Sequence, residues 1–292
     1  MKKRQSSIFR NEGLAFIAPS LLGVAIFVLL PFADVLRRSF FTAGGKFAGL
    51  SNYAAVLNNT AFRLAAGNTL KFVMLCIPVL TALSLLLAAA AHRLSAEACR
   101  SCSWVEVAKT VLLLPLAVPA ASVALIWKLF FCENGFLDVW FLQWFGHPAA
   151  CMETETAFYV LVFSYLWKNA GYDMVLWSAG LSGIPRELYQ AAEIDGAGGF
   201  ARFRYITIPQ LLPMLFTIFV LSLLNSFQVF REAYLVAGEY PHTSMYMLQH
   251  LFNHWFADLE LEKLYAAAVL TALVIFLLIL ALQKSWKAGI AD

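Results

Sequence analysis

The sequence predicts an all-α membrane protein, a single domain over residues 1–292 that crosses the bilayer six times. The first observation is composition. The chain is 61% hydrophobic and 13% charged, with a mean hydropathy of +0.72, whereas soluble domains hold about 45–50% apolar and about 25% charged residues. So little charge cannot clothe a soluble surface of this size, and lipid must cover part of the exterior. The second observation is arrangement. A helix needs about 20 predominantly apolar residues to cross the hydrocarbon, and six stretches qualify, at about 14–36, 67–91, 107–131, 156–183, 209–230 and 264–284.

The chain opens on Lys2, Lys3, Arg4 and Arg10, then an apolar run from Leu14 to Leu36. That run is longer than the roughly 7–15 apolar residues of a signal peptide, and no small-residue cleavage site follows, so it is read as a retained first span. Residues 37–66 are too polar to span and, with Phe47-Ala-Gly-Leu-Ser-Asn-Tyr53, too aromatic for a free tail; they are expected to pack over the outer face. Pro19, Pro31, Pro78, Pro115, Pro119 and Pro213 lie within or at the ends of spans, where neighbouring helices tolerate kinks. With both termini in the cytoplasm, twelve lysines and arginines fall inside and six outside (Arg37, Arg38, Lys46, Arg63, Arg231 and Lys263), as the positive-inside rule requires. The adjacent pair Arg37 and Arg38 runs against that trend.

The net charge of +3 gives no reason to expect a nucleic-acid partner. Of the five cysteines, Cys99 and Cys102 have metal-like spacing, but only His92 lies near and no second pair completes a site. Cys132 and Cys151 share one outer loop and are read as free thiols in preference to a disulfide. No metal is expected.

The most informative stretch is the cytoplasmic segment 184–208. Pro185 suits a first helical turn, Glu187 favours the positive helix start, and Gly196 can adopt the left-handed conformation that ends a helix. Leu188, Ala191 and Ala192 form a small apolar face; Arg186, Gln190 and Glu193 form the polar one. After Asp195 and Gly196 a second short segment runs from Phe200 to Tyr205, with Phe203 between two arginines, and Pro209 opens the fifth span. Two readings stand level on these residues alone. One is an elbow whose small residues admit another protein; the other is a connector lying on lipid headgroups.

The spacing resembles the EAA loop of importer-type ABC permeases, EAA-x3-G-x9-I-x-LP. It reads here as Gln190-Ala191-Ala192, Gly196, Ile206 and Ile208-Pro209, with glutamine for the motif glutamate and isoleucine for its leucine. The resemblance implies that the loop docks on a cytoplasmic ATPase through Glu187, Gln190, Ala191, Ala192, Asp195, Gly196, Phe203, Ile206 and Pro209. Gln190 would replace an ion pair there by a neutral hydrogen bond. Ala18-Pro-Ser-Leu-Leu-Gly23, Phe47-x-Gly-Leu-x-Asn-Tyr53, Asn68-Thr69 and Trp167-x3-Gly171-x2-Met174 are similar to the carbohydrate permeases of the maltose and glycerol-phosphate transporter type.

That likeness implies a MetI-like permease fold in a prokaryotic plasma membrane. It implies a second homologous permease, two ATPase subunits and an extracytoplasmic solute-binding protein as partners. It also implies alternating access driven by ATP and Mg on the partner ATPase, with no cofactor on this chain. The implied solute is a mono- or oligosaccharide, with glycerol phosphate as the non-sugar alternative. An ion-coupled secondary transporter is the alternative from another class. No G-x-x-x-x-G-K-[ST] occurs (Gly44-Gly45-Lys46 is a loop fragment), and no hydrolytic triad, so the chain is not expected to be an enzyme.

Charged groups at mid-membrane cost roughly 2.5–3.5 kcal/mol on insertion scales and need a reason. The fourth span carries Lys168, Asn169, Tyr172 and Asp173 beside Tyr165 and Trp167; the fifth carries Ser222, Asn225, Ser226 and Gln228. Aromatic faces with hydrogen-bonding groups suit a sugar pathway, and polar side chains also join helices in bilayers. Both readings remain open for Lys168, Asn169, Tyr172, Asp173, Ser222, Asn225 and Gln228. Lys128 is expected to snorkel.

Overall fold

The computed structural model describes residues 16–97, 103–227 and 230–291. Twelve helices are named here: α1 Phe16–Arg38, α2 Ser51–Asn58, α3 Thr60–Glu97, α4 Ser103–Ala117, α5 Ala120–Phe131, α6 Phe136–Phe145, α7 Thr156–Ser182, α8 Arg186–Ile194, α9 Gly199–Ser226, α10 Phe230–Ala237, α11 Leu248–Ala257 and α12 Leu261–Ala291. The expected pair Cys99 and Cys102 lies outside the described residues.

Among the described residues, five stretches are long and apolar enough to cross a membrane: α1, Thr60–Leu94 of α3, Ala120–Phe145, α9 and Leu261–Lys284 of α12. This departs from six uniform spans in two ways. The expected span 107–131 is broken into α4 and α5, because Pro119 takes extended backbone (φ −57°, ψ 142°) and cannot continue a helix. α5 and α6 together supply the apolar length from 120 to 145. The expected span 156–183 forms as the 27-residue α7, which is long enough to cross. Its polar residues keep it out of the apolar set, and it buries Leu161, Tyr165, Asp173 and Trp177. A helix packed inside a bundle need not be apolar all round, since it does not meet lipid.

Two wide turns share one cause. In α1 the stretch Ala25–Leu29 is π-helical and Leu30 N–H reaches Ala25 O; in α9 the stretch Phe203–Thr207 is π-helical and Ile208 N–H reaches Phe203 O. Each ends two residues before a proline, Pro31 or Pro209. The ring would press on the carbonyl four residues back and offers no N–H, and a widened turn relieves both problems.

The chain divides into two compact units, residues 1–62 with 252–278, and residues 63–251 with 279–292. In the first unit, the segment after α1 folds back through an isolated bridge between Phe41 and Phe47. Asn52, buried, donates to the carbonyls of Ser39 (2.9 Å) and Phe41 (3.0 Å), and the Ser39 and Tyr53 hydroxyls bond at 2.6 Å. The Phe-x-Gly-Leu-x-Asn-Tyr pattern is thus a clamp on this loop.

In the second unit, α7 packs against α4 and α9. One apolar cluster gathers Phe72, Cys76, Leu80, Leu161, Tyr165 and Met245; another gathers Met174, Trp177, Leu181, Ile184, Leu211 and Ile218. Gly171 allows the closest approach, since a Cβ there would lie 1.9 Å from the Leu112 carbonyl oxygen. Asn68 donates to the carbonyls of Thr243 (2.7 Å) and Tyr246 (3.0 Å), fixing the short 3-10 turn Thr243–Met245. In the first turn of α6, the buried Asp138 carboxylate accepts from the N–H groups of Asn134 (3.2 Å) and Ala150 (2.9 Å). Cys132 and Cys151 are free thiols.

Candidate functional site

The segment expected to carry the mechanism is built as an elbow. Pro185 sits one position before α8 rather than inside it, with extended ψ of 132°, and Glu187 occupies the first turn. The helix ends where Gly196 takes φ 74°, and Ala197 N–H closes back on Ala192 O at 2.8 Å. The chain then turns into α9, and Arg202 pairs with Glu193 at 3.3 Å across the bend.

The buried side of α8 is set by a residue outside the expected apolar face. Tyr189 packs with Ile206 against the cluster of Leu181, Ile184 and Leu211, and its hydroxyl bonds Thr207 Oγ1 at 2.8 Å. This turns Leu188 (40% exposed) and Ala191 outward, with Ile194 87%, Phe200 82% and Tyr205 77% exposed nearby. Glu187, Gln190, Asp195 and Pro209 are also exposed; Ala192, Phe203 and Ile206 are half-buried. A tyrosine four residues from Glu193 gives little sign of its partner, because Thr207 lies eighteen residues on.

The polar residues of α7 separate into two rows. Tyr165, Asn169, Asp173 and Trp177 recur every fourth residue and are all buried. Ser222 Oγ of α9 donates to Asp173 Oδ2 at 3.0 Å, and Tyr165 OH donates to Ser222 O at 2.8 Å. Asn169 donates to Tyr165 O at 2.9 Å, and Trp177 Nε1 donates to Ser84 Oγ of α3 at 3.1 Å. This row ties α7 to α9 and α3. A buried carboxylate without a donor is costly, so the Ser222 hydroxyl and Asp173 depend on each other. Lys168 and Tyr172 form the second row, half-buried, as is Asn225 on α9. Gln228 lies outside the described residues. Ser84 and Trp177 are members of the network that the sequence reading missed.

A family model described as "Binding-protein-dependent transport system inner membrane component" matches residues 72–286. The arabinooligosaccharides transport system permease protein AraP of Bacillus subtilis (strain 168) is 30% identical over 282 residues, covering 94% of this chain and 87% of that protein. The sn-glycerol-3-phosphate transport system permease protein UgpA of Salmonella typhimurium is 29% identical over 285 residues, covering 94% and 92%. Among solved structures, a bacterial ABC transporter involved in the import of the acidic polysaccharide alginate has a chain of the same fold. It superimposes with a TM-score of 0.82 at 19% identity, over 98% of this chain and 99% of that one. The helical architecture, the elbow and the match over most of its length make this chain a member of the binding-protein-dependent transport system inner membrane component family.

Proposed function

We propose that the chain is the permease subunit of an ATP-driven, binding-protein-dependent importer for a mono- or oligosaccharide. It works by alternating access in a prokaryotic plasma membrane beside a second similar permease, two ATPase subunits and an extracytoplasmic solute-binding protein. Both termini face the cytoplasm, and ATP and Mg are bound by the ATPase. The observation that carries the reading is the elbow 184–208, held to the bundle by Tyr189 and Thr207 while Leu188, Ile194, Phe200 and Tyr205 stay exposed. An apolar patch of that kind marks a partner surface, and in a family of transport-system components the ATPase is the fitting partner. A rigid elbow transmits movement of that partner to α7 and α9, which it joins.

On this reading Asp173, Ser222 and Asn169 hold the helices together, and Lys168, Tyr172 and Asn225, with Gln228, line the solute pathway. The arabinooligosaccharide relative supports the sugar class. The glycerol-3-phosphate relative supports a second reading with that solute.

The test is uptake into proteoliposomes holding all subunits and the binding protein. Uptake should require ATP and persist with an ionophore; uptake by this chain alone, driven by a gradient, would refute the proposal. Titrating the binding protein with sugars and with glycerol phosphate separates the two solutes.

A further inference from the structure

The first unit contains a cleft of about 370 Å³ that the transport reading leaves unused. Its walls are the end of α1 (Arg37, Arg38), the loop Phe41–Gly45, Leu259 and the start of α12 (Leu261, Glu262, Tyr265). The apolar stretch of α1 ends at Arg38 and that of α12 begins at Leu261. The cleft therefore lies where the hydrocarbon gives way to headgroups, at the side holding the arginine pair that the Lys/Arg distribution leaves unexplained. The pair is held in place. Asp34 accepts from Arg37 Nη2 at 3.0 Å and from Arg38 Nε at 2.6 Å, which sets the two guanidiniums beside one carboxylate. Each guanidinium has five N–H donors, and these bonds take one from each.

The Glu262 carboxylate accepts from the Ala43 N–H, which joins the loop to α12. The loop itself is fixed by Asn52 and by the Thr42 N–H bond to Lys46 O at 2.9 Å. On the α1 face that carries the arginines, Leu30, four residues before Asp34, is 64% exposed and offers apolar surface leading down from the cleft. Guanidinium forks, a phenol hydroxyl and apolar surface beneath them match a phosphate diester carrying acyl chains.

We propose that this cleft is a binding site for the phosphate of an anionic phospholipid headgroup, clasped by Arg37 and Arg38. It stands on the first unit alone and does not depend on which solute is carried. The site explains why two arginines are kept on the side where the positive-inside rule disfavours them.

The experiment is native mass spectrometry of the assembled importer, washed in detergent and titrated with phosphatidylglycerol, with a phosphate-free glucosyl diacylglycerol, and with inorganic phosphate. The expected result is one retained phosphatidylglycerol per copy, no retention of the glycolipid, and no displacement by millimolar phosphate. Arg37→Gln with Arg38→Gln should weaken phosphatidylglycerol binding at least tenfold. Lys46→Gln, an exposed lysine on the same loop that does not line the cleft, should leave it unchanged. If the double variant does not assemble, Tyr265→Phe, which keeps the shape and loses one hydroxyl, should still weaken binding several-fold. Equal retention by wild type and the arginine variant, equal retention of the glycolipid, or an effect of Lys46→Gln as large as theirs would overturn the site. Displacement by inorganic phosphate would overturn the lipid as its source.

Discussion

Replacing Gly171 by alanine sets two effects of opposite sign against each other. In a helix interior the change ordinarily stabilises by about 1 kcal/mol through backbone entropy. Here the new Cβ would lie 1.9 Å from the Leu112 carbonyl oxygen, 2.5 Å from its carbon and 3.0 Å from Leu113 N. A carbon and a carbonyl oxygen settle at about 3.3 Å, so α4 and α7 must part by about 1.4 Å. Overpacking of this kind costs about 1–3 kcal/mol. The obstructing atoms are backbone and cannot rotate aside, so the upper end applies and the net loss is about 2 kcal/mol. Two other glycines calibrate the reasoning. Gly67 has nothing within 4 Å of a Cβ and should gain up to about 1 kcal/mol as alanine. Gly180 meets Leu211 Cδ2 at 3.0 Å and Met214 Cγ at 3.3 Å, side-chain atoms that can move, so Gly180→Ala should be near neutral. Cys76, fully buried, supplies the assay: its alkylation by a thiol-reactive fluorophore during heating reports unfolding when the other four cysteines are replaced. In order of rising melting temperature the expected series is Gly171→Ala, then wild type and Gly180→Ala together, then Gly67→Ala. A Gly171→Ala protein melting at or above wild type would refute the close approach of α4 and α7.

The same melt should show Ser222→Ala destabilised by about 1–3 kcal/mol, because the buried Asp173 carboxylate loses its donor; Asp173→Asn should be milder, and unchanged melting in both would remove the tie between α7 and α9. Tyr189→Phe loses one hydrogen bond worth about 0.5–1.5 kcal/mol, so hydrogen exchange in α8 should quicken by about 2- to 10-fold while the interior of α7 stays as before; no change in α8 would count against the clamp. At Gly196 the space around a Cβ is open and only the positive φ resists substitution, so uptake should survive Gly196→Asn and fall with Gly196→Val, whose conformational cost is about 1–2 kcal/mol; equal uptake would separate that φ from coupling. Cysteine labelling should reach positions 140–150 and 240–250 from outside and 186–204 only after permeabilisation, and the reverse pattern would invert the topology.

What the sequence revealed and what it concealed follows the range of the interactions. The end of α8 was legible because a glycine after a short amphipathic run has a local meaning, and Gly196 takes the left-handed backbone at φ 74°. The break between α4 and α5 was marked by Pro119 too, but an apolar run long enough to span hid it; apolarity measures burial or lipid contact and says nothing about continuity. No local signal marks α10 and α11, because the turn between them is fixed by Asn68, 175 residues before Thr243. Tyr189 falls outside the apolar face that spacing predicts for α8, because its partner, Thr207, lies across the elbow.

The case of α7 goes furthest. Its row at 165, 169, 173 and 177 is plain in the sequence as a four-residue period, yet Ser222 and Ser84, which satisfy it, lie 49 and 93 residues from their partners. Without those partners the row looks like groups awaiting a solute; with them, Asp173 and Trp177 are joints between helices. The half-buried Lys168, Tyr172 and Asn225 lie outside that row, and on the proposed reading they are the groups assigned to the solute pathway. The helix that hydropathy ranks lowest is for that reason the one the bundle encloses, since only a helix shielded from lipid can keep an aspartate, an asparagine and a lysine in its middle turns.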